Sequence, residues 1–424
     1  MILADLNEDC LHEIFSCFTT PSAELFHLSL VCRRLAHIVH KHALRHIDIG
    51  TGGLLTRSTT AQQLNSLLET LQQNPCLGFR VRSTRIGPCS DDPEGAAQID
   101  EILTYMQNVR RLEIYGFHHG PTIRQSLSFY QHNSLQNLRH ATLRGGTMGE
   151  LAYEILQRKS LRTFTIEYLR LGESELLNPT RKAQYEPLHE FQLSEGRLSY
   201  DWIENILTQR PAVSRLTLLR CYIGPTGNSR DGMRHPKDPP TVSFSSQKFG
   251  RSLEPTSRFL TSLTIRDKVH WWDGVDMSRM DLSSFKCLRS IEIPGDMLVG
   301  YEASPLSRDC AYRLLPRCLE RIKLNFEQNT SVLVPETLES AEKAPIDRIR
   351  WITEILDHKR SSYPALKLFI AQEILQLHRR GTYEETKQVG PMFYWIPQLL
   401  AQRAEQTAVH IELWFRSHPF RVQS

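Results

Sequence analysis

"VRRLEIYG", residues 109–116, holds the pattern on which the fold turns: Leu112 and Ile114 stand either side of the acidic Glu113. Alternation of this kind suits a short strand that buries one face and leaves the other polar. The same apolar-x-apolar core, often with Leu or Val two or three residues ahead of it, recurs along the chain. Clear copies are "LRTFTIEY" (Phe164, Ile166), "LHEFQLSE" (Phe191, Leu193), "VSRLTLLR" (Leu216, Leu218) and "LTSLTIRD" (Leu263, Ile265). Further ones are "LRSIEIPG" (Ile291, Ile293), "LERIKLNF" (Ile322, Leu324) and "AVHIELWF" (Ile411, Leu413), with weaker copies near Ile47, Val81 and Leu143.

Successive copies in the first half of the chain lie roughly 23 to 34 residues apart, a repeat-protein spacing. Helical periodicity fills the gaps. Ile99, Ile102, Leu103 and Met106 share one face, as do Leu151, Ile155 and Leu156, and as do Trp202, Ile203, Ile206 and Leu207. Strand, loop, helix, strand at this period predicts an α/β architecture, a leucine-rich-repeat-like solenoid (horseshoe) with parallel strands on its concave face and helices on the convex one. A doubly wound sheet would alternate in the same way, but about ten units are too many for one open sheet of that kind.

Two intervals are nearly doubled. Residues 224–258 are rich in Gly, Pro and Ser and almost without apolar periodicity, which predicts a long loop insertion. After Leu324 the segments "PIDRIRWITEILDHKR" and "LKLFIAQEILQLHRR" predict a helical C-terminal region over 336–424 that caps the repeats. The expected organisation is therefore an N-terminal helical block over 1–45, a solenoid over 46–335, and that helical region.

Composition excludes several classes. The chain has 424 residues, 40% hydrophobic and 23% charged, enough to bury a sizeable core. A formal charge of +4 without a block of like charges implies neither a nucleic-acid arm nor an acidic tail. The 9 cysteines are odd in number and scattered, so no disulfide framework is suggested. The opening "MILADLNEDCLHEIF" lacks a cationic start and a small-residue cleavage site, and no apolar run approaches a membrane span. The expected location is cytoplasmic or nuclear, with no membrane partner.

"LSLVCRRLAHIV", residues 28–39, has an odd distribution of apolar side chains. As a helix it places Leu28, Val31, Cys32, Leu35, Ile38 and Val39 on one face, while Leu30 and the preceding Phe26 point away from it. The second apolar side touches either another polypeptide or the first repeat, unless the helix breaks near Ser29. The surrounding block resembles an F-box, the short three-helix motif of substrate-recruiting subunits in cullin-RING ubiquitin ligases. Leu6, Leu11, Ile14 and Phe18 match its first half; Glu24, Leu25, Leu28, Val31, Cys32 and Arg33 match its second, "VCRRL" being the most specific element. Asn7 stands where the family usually has proline and can cap the first helix instead, and Leu35 stands where tryptophan is frequent. The arrangement is similar to F-box proteins of filamentous fungi, whose repeats end in helical tails. This resemblance implies a Skp-type adaptor as partner, bound through Leu6, Asn7, Leu11, Ile14, Leu25, Phe26, Leu28, Leu30, Val31, Cys32 and Leu35, and through the adaptor a cullin-RING ligase. About forty-five residues make a poor independent core, which favours burial of an apolar side against a partner.

No Walker loop, G-x-S-x-G, H-E-x-x-H or paired C-x-x-C occurs. His37, His40, His42 and His46 lie close together, but no cysteine or carboxylate of suitable spacing completes a metal set, and they read as solvated or capping residues. His118 and His119 lack a recognisable base or nucleophile partner. No catalytic residue and no cofactor is therefore expected. In a solenoid the loops leaving the strands share one rim, where binding normally occurs. Aromatic and arginine residues there, the types that most often carry interface energy, are Tyr115, His118, Arg144, Tyr168, Arg170, Tyr222, Arg266, Trp271 and Trp272. They are the candidates for binding a protein substrate whose identity is unknown; for the two tryptophans the alternative is that one anchors the 224–258 loop. The expected function is a non-catalytic substrate adaptor of a Skp-cullin-F-box ligase, or else a scaffold without a role in degradation.

Overall fold

The structure is a computed structural model that describes residues 6–16, 27–28, 30–43, 45–49, 57–87, 93–115, 135–145, 149–168, 186–224, 244–266, 278–300, 309–327, 346–374, 392–394 and 396–416. It is mixed α/β and divides into two compact units, Met1–Leu188 and His189–Ser424.

In the first unit helices α1 (Glu8–Ser16) and α2 (Arg33–Ala43) precede five strands: β1 (His46–Ile49), β2 (Ser83–Ile86), β3 (Arg111–Tyr115), β4 (His140–Arg144) and β5 (Thr163–Glu167). They pair in sequence order, all parallel. Alternation sets the register. Ile49, Ile86, Ile114, Leu143 and Ile166 are direct neighbours across the five strands and all buried, so a slip of one residue would carry this row to the polar face. Parallel pairing needs crossovers, supplied by the helices Arg57–Gln73, Pro93–Tyr105 and Gly149–Leu156. The face predicted for the second of these is fully buried at Ile99, Ile102, Leu103 and Met106. Its outer side is tied to the helix Arg57–Gln73 by Gln98 Nε2 donating to Asn65 Oδ1 at 2.7 Å and by Gln72 Nε2 donating to Glu101 Oε1 at 2.9 Å. The weak copy near Val81 is displaced: Val81 is buried just before the strand, and β2 places Thr84 and Ile86 inward.

The second unit contains β6 (Leu188–Ser194), β8 (Val213–Leu219), β10 (Ser262–Arg266), β11 (Ser290–Pro294), β12 (Arg321–Glu327), β13 (Leu368–Ile374) and β15 (His410–Arg416), adjacent in that order. Leu216, Leu263, Ile291, Ile322, Phe369 and Ile411 form one buried row from β8 to β15. The short β14 (Met392–Tyr394) pairs antiparallel with β15 and ends the order. A separate parallel pair joins β7 (Arg197–Ser199) to β9 (Tyr222–Gly224). The helix Tyr200–Gln209 buries Trp202, Ile203, Ile206 and Leu207 as expected, and Ser199 caps it, its hydroxyl accepting from the Trp202 amide.

Two expectations are corrected here. Within "LKLFIAQEI", Leu368–Ile374 is the strand β13 and not a helix, because Phe369, Ile370 and Ala371 are buried between β12 and β15, where a continuous apolar run is what a covered parallel strand carries. The C-terminal region is consequently a continuation of strand and helix, with Ile346–Asp357 and Gln398–Thr407 between strands. The long loop expected over 224–258 also ends early. Ser246–Ser252 is helical, capped by the Ser245 hydroxyl, and Phe244 packs against Tyr200 and Phe249 with ring centroids 6.0 and 6.2 Å apart. Residues 225–243 lie outside the described residues.

Close backbone approach fixes one position. A Cβ on Gly78 would run into the backbone carbonyl of Tyr105 at the end of its helix. Gly78→Ala should lower stability by about 1–3 kcal/mol, read as a lower urea midpoint with unchanged slope; an unchanged midpoint would show that the two segments separate freely.

Candidate functional site

The N-terminal helix pair closes one core and leaves apolar side chains exposed outside it. Asn7 caps α1: its side-chain carbonyl accepts from the Asp9 amide at 3.0 Å, and its backbone carbonyl accepts from Leu11 at 3.0 Å. Leu11 and Phe15 of α1 meet Leu35, Ile38 and Val39 of α2, with Leu6, Leu28 and Cys32 packed at the margin. Phe15 also lies against the buried His42, ring centroids 6.1 Å apart. Arg34 ties the helices together by donating to the Leu6 carbonyl at 2.7 Å.

Between residues 28 and 33 the helix is interrupted. Leu30 donates to the His27 carbonyl and Val31 to the Leu28 carbonyl, both three-residue turns, and α2 restarts at Arg33 with the Cys32 thiol accepting from the Leu35 amide at 3.5 Å. The single helical wheel expected over 28–39 is therefore corrected. Val31, assigned to the buried stripe, is 62% exposed, and Leu30 is 82% exposed. Ile14 is 38% exposed on α1. Leu11 and Leu35 are enclosed by the chain itself, where they pack α1 against α2. Leu25, Phe26 and Phe18 lie outside the described residues.

The polar face of the strands in each unit carries further candidates. In the first unit Tyr115 stands between two guanidinium groups, Arg144 at 4.8 Å and Arg85 at 5.5 Å from its ring centroid. Its hydroxyl donates to Glu113 at 2.8 Å, Arg85 bridges Glu113 at 3.2 Å and Asp48 at 3.7 Å, and Arg144 pairs with Glu167 at 3.1 Å. Burial pushes the Glu113 carboxyl up, but the Tyr115 hydroxyl and Arg85 outweigh it and hold it below the usual carboxylate range. In the second unit Arg266 grips Glu292 through two hydrogen bonds of 2.8 and 2.7 Å, and Lys323 approaches it from the next strand at 3.0 Å. Burial again works against ionisation, and the two cations again win. Further along, Gln372 donates to Asn325 at 2.8 Å, and the Trp414 indole donates to Glu412 at 3.0 Å.

The turns that leave the strands share a backbone device. Gly145, Tyr168, Glu195 and Arg220 each follow a strand with positive φ (102°, 62°, 55° and 53°). Gly145 donates to Glu167, Glu195 to Leu219 and Arg220 to Arg266, each at 2.8 Å, so the left-handed residue aims its amide at the neighbouring strand. Three of the four carry side chains despite the strain this implies. Glu195 and Arg220 pair at 2.8 Å, and Tyr168 is 48% exposed.

Of the predicted substrate-binding residues, the structure brings Tyr115 and Arg144 into contact and places Tyr168 on the exit turn of β5 in the same unit. Arg266 lies in the second unit, and Tyr222 belongs to the small β7–β9 pair. His118, Arg170, Trp271 and Trp272 lie outside the described residues. Arg85, Glu113, Glu167, Glu292 and Lys323 complete the two networks and were missed. For Glu113, Glu292 and Lys323 the signal was their position between the apolar residues of a copy; Arg85 and Glu167 become legible only once neighbouring strands are aligned in register.

Residues 3–47 match the F-box domain family. The match covers the helix pair and the start of β1, and it implies a Skp-type adaptor as partner. No curated protein matches the chain. Among the described residues no helix is long and apolar enough to cross a membrane, and no group of three or more His, Cys, Asp or Glu could hold a metal ion.

The Glu292 clasp predicts a pH dependence. A carboxyl whose pKa is depressed on folding stabilises the fold above its unfolded value of about 4.3 and loses that contribution as pH falls through the folded value. Glu292→Gln should cost about 1–2 kcal/mol at pH 7, and the deficit should shrink below pH 4. Urea titrations at both pH values test this; a deficit that persists in acid would mean that shape, not charge, is lost.

Proposed function

We infer that the chain is the target-recruiting subunit of a Skp-cullin-F-box ubiquitin ligase. The observation that carries this reading is the pair Leu30 and Val31, 82% and 62% exposed beside a helix pair whose own core is already closed. Single exposed aliphatic residues are ordinary, but two adjacent ones in a segment that matches a partner-binding family favour an interface. With Ile14 they supply the apolar centre of the adaptor contact. Asn7, Leu11 and Leu35 support it by holding α1 and α2.

We read the strand ladder of each unit as leucine-rich-repeat-like solenoid, and its polar face, with Tyr115, Arg144 and Tyr168 in the first unit and Arg266 in the second, as the surface that holds a target protein. The chain needs no catalytic group in this reading and acts in the cytoplasm or nucleus. Its contribution is proximity. Holding a target and, through the adaptor and cullin, the ubiquitin-transfer machinery in one assembly raises the effective concentration of the target's lysines.

Burying a Leu or Val side chain is worth about 1.5–3 kcal/mol. Leu30→Glu with Val31→Glu should therefore weaken binding of a purified Skp-type adaptor about 100-fold or more, measured by surface plasmon resonance. Both side chains are exposed in the free chain, so its melting temperature should stay within about 2 °C. Wild-type chain that fails to bind the adaptor, or a double variant that binds it equally well, sinks the reading.

A further inference from the structure

The residue immediately before each strand of the first unit is arginine: Arg45, Arg82, Arg110, Arg139 and Arg162. Backbone bonds make them successive rungs. Arg82 donates to the Arg45 carbonyl at 2.9 Å, Arg110 to Arg82 at 2.7 Å, Arg139 to Arg110 at 2.8 Å and Arg162 to Arg139 at 2.8 Å. Strands stand about 4.8 Å apart, so the five arginines make a ladder about 19 Å long. The first strand positions beside it are His46, Ser83, Arg111, His140 and Thr163, which add a sixth guanidinium.

Among the described residues little neutralises this row. Arg162 pairs with Glu186 at 3.5 Å at one end, and Arg82 donates to the Asn108 carbonyl at 3.4 Å. Among the described residues no acid forms an ion pair with Arg45, Arg82, Arg110, Arg111 or Arg139. The groups feel one another. Burial, then Arg110 and Arg45, lower the Arg82 pKa, and burial followed by neighbouring arginines lowers those of His46 and His140. Like charges on adjacent strands oppose folding, and the second unit avoids the arrangement. Its equivalent row runs Ser214, Thr261, Arg289, Glu320, Lys367, linked by the same backbone bonds, with Glu320 at 3.6 Å from Arg289 and 3.8 Å from Lys367.

We propose that the arginine ladder of the first unit docks an extended, carboxylate-rich segment of a partner protein; that this partner is the ligase target rests on the function proposed above. Guanidinium groups match carboxylates in planar, two-bonded pairs. An extended segment crosses the ladder in about six residues and presents alternate side chains to it. Nucleic acid fits less well, because none of the five strand positions beside the ladder is Phe, Tyr or Trp, and the exposed Phe79 near Arg82 offers a single platform where successive bases need a row.

The test uses the full chain and a fluorescent twelve-residue peptide of alternating Glu and Ser, read by anisotropy. A peptide with Gln in place of Glu, one with Gln and phosphoserine, and a twelve-nucleotide oligo-dT are compared. The Glu peptide should bind about tenfold or more tightly than the Gln peptide and weaken steeply between 50 and 500 mM salt. Arg110→Glu with Arg139→Glu should raise its Kd about tenfold or more, Arg110→Gln with Arg139→Gln should raise it less, and Arg289→Glu in the second unit should leave it within about twofold. Equal binding of the Gln peptide, indifference to the double reversal, or preference for the phosphoserine peptide or the oligonucleotide overturns the proposal. Adaptor capture on the same samples separates the two readings. Chain that binds the peptide but no adaptor loses the ligase assignment and keeps the ladder, and the reverse result does the opposite.

Discussion

The in-register row of apolar side chains beneath the strands of each unit is the constraint on which the remaining structure depends. Ile49, Ile86, Ile114, Leu143 and Ile166 are buried together, as are Leu216, Leu263, Ile291, Ile322, Phe369 and Ile411. Side chains alternate across a strand, so fixing these rows fixes every residue between them. A slip that brought Glu113 inward would carry Ile114 out and bury a carboxylate without a counter-ion, a far larger penalty than any single surface contact returns.

The polar residues are thereby forced into rows of their own, about 4.8 Å apart, and each row must resolve its charges locally. Three solutions coexist. Around Glu113 and Glu292 acids alternate with cations, and each of these two carboxylates is held by at least two donors. At Tyr115 an aromatic face separates Arg85 from Arg144, turning a repulsive pair into a stack in which each cation faces the ring and keeps its own acid. In the row preceding the strands of the first unit neither device is used except at its end, where Arg162 meets Glu186. The core sets which residues are neighbours and leaves their charge free to vary between units.

Much of this architecture is legible in the sequence because one short pattern, repeated, is a stronger signal than any single segment. Leu112–Ile114, Phe164–Ile166 and Leu263–Ile265 locate strands because they alternate, and Ile99–Ile102–Leu103–Met106 locates a helix because it does not. The reading fails where periodicity is ambiguous. "LFIAQEI" fits either template, and its burial between β12 and β15 decides for a strand. Phe244 and Phe249 were overlooked because the Gly- and Pro-rich stretch before them dominates the composition of that interval. For the binding face, naming aromatic and arginine residues found Tyr115 and Arg144, whereas Glu113, Glu292 and Lys323 matter through neighbours some thirty residues away in sequence, which no local pattern reveals.

The N-terminal block illustrates the opposite limit, where a regular pattern misleads because the backbone is not regular. A continuous helix over 28–39 would bury Val31 with Leu35 and leave Leu30 alone outside. The turns at Leu30 and Val31 and the thiol cap at Cys32 instead rotate both side chains off the core, while Leu35, Ile38 and Val39 keep their places. The exposed apolar pair is thus a product of the interruption and not of helical amphipathicity. Straightening this segment into one helix would return Val31 to the internal core and leave Leu30 without its exposed neighbour, so the break that is unfavourable for the isolated helix pair is the feature that gives it an adjacent apolar pair to offer a partner.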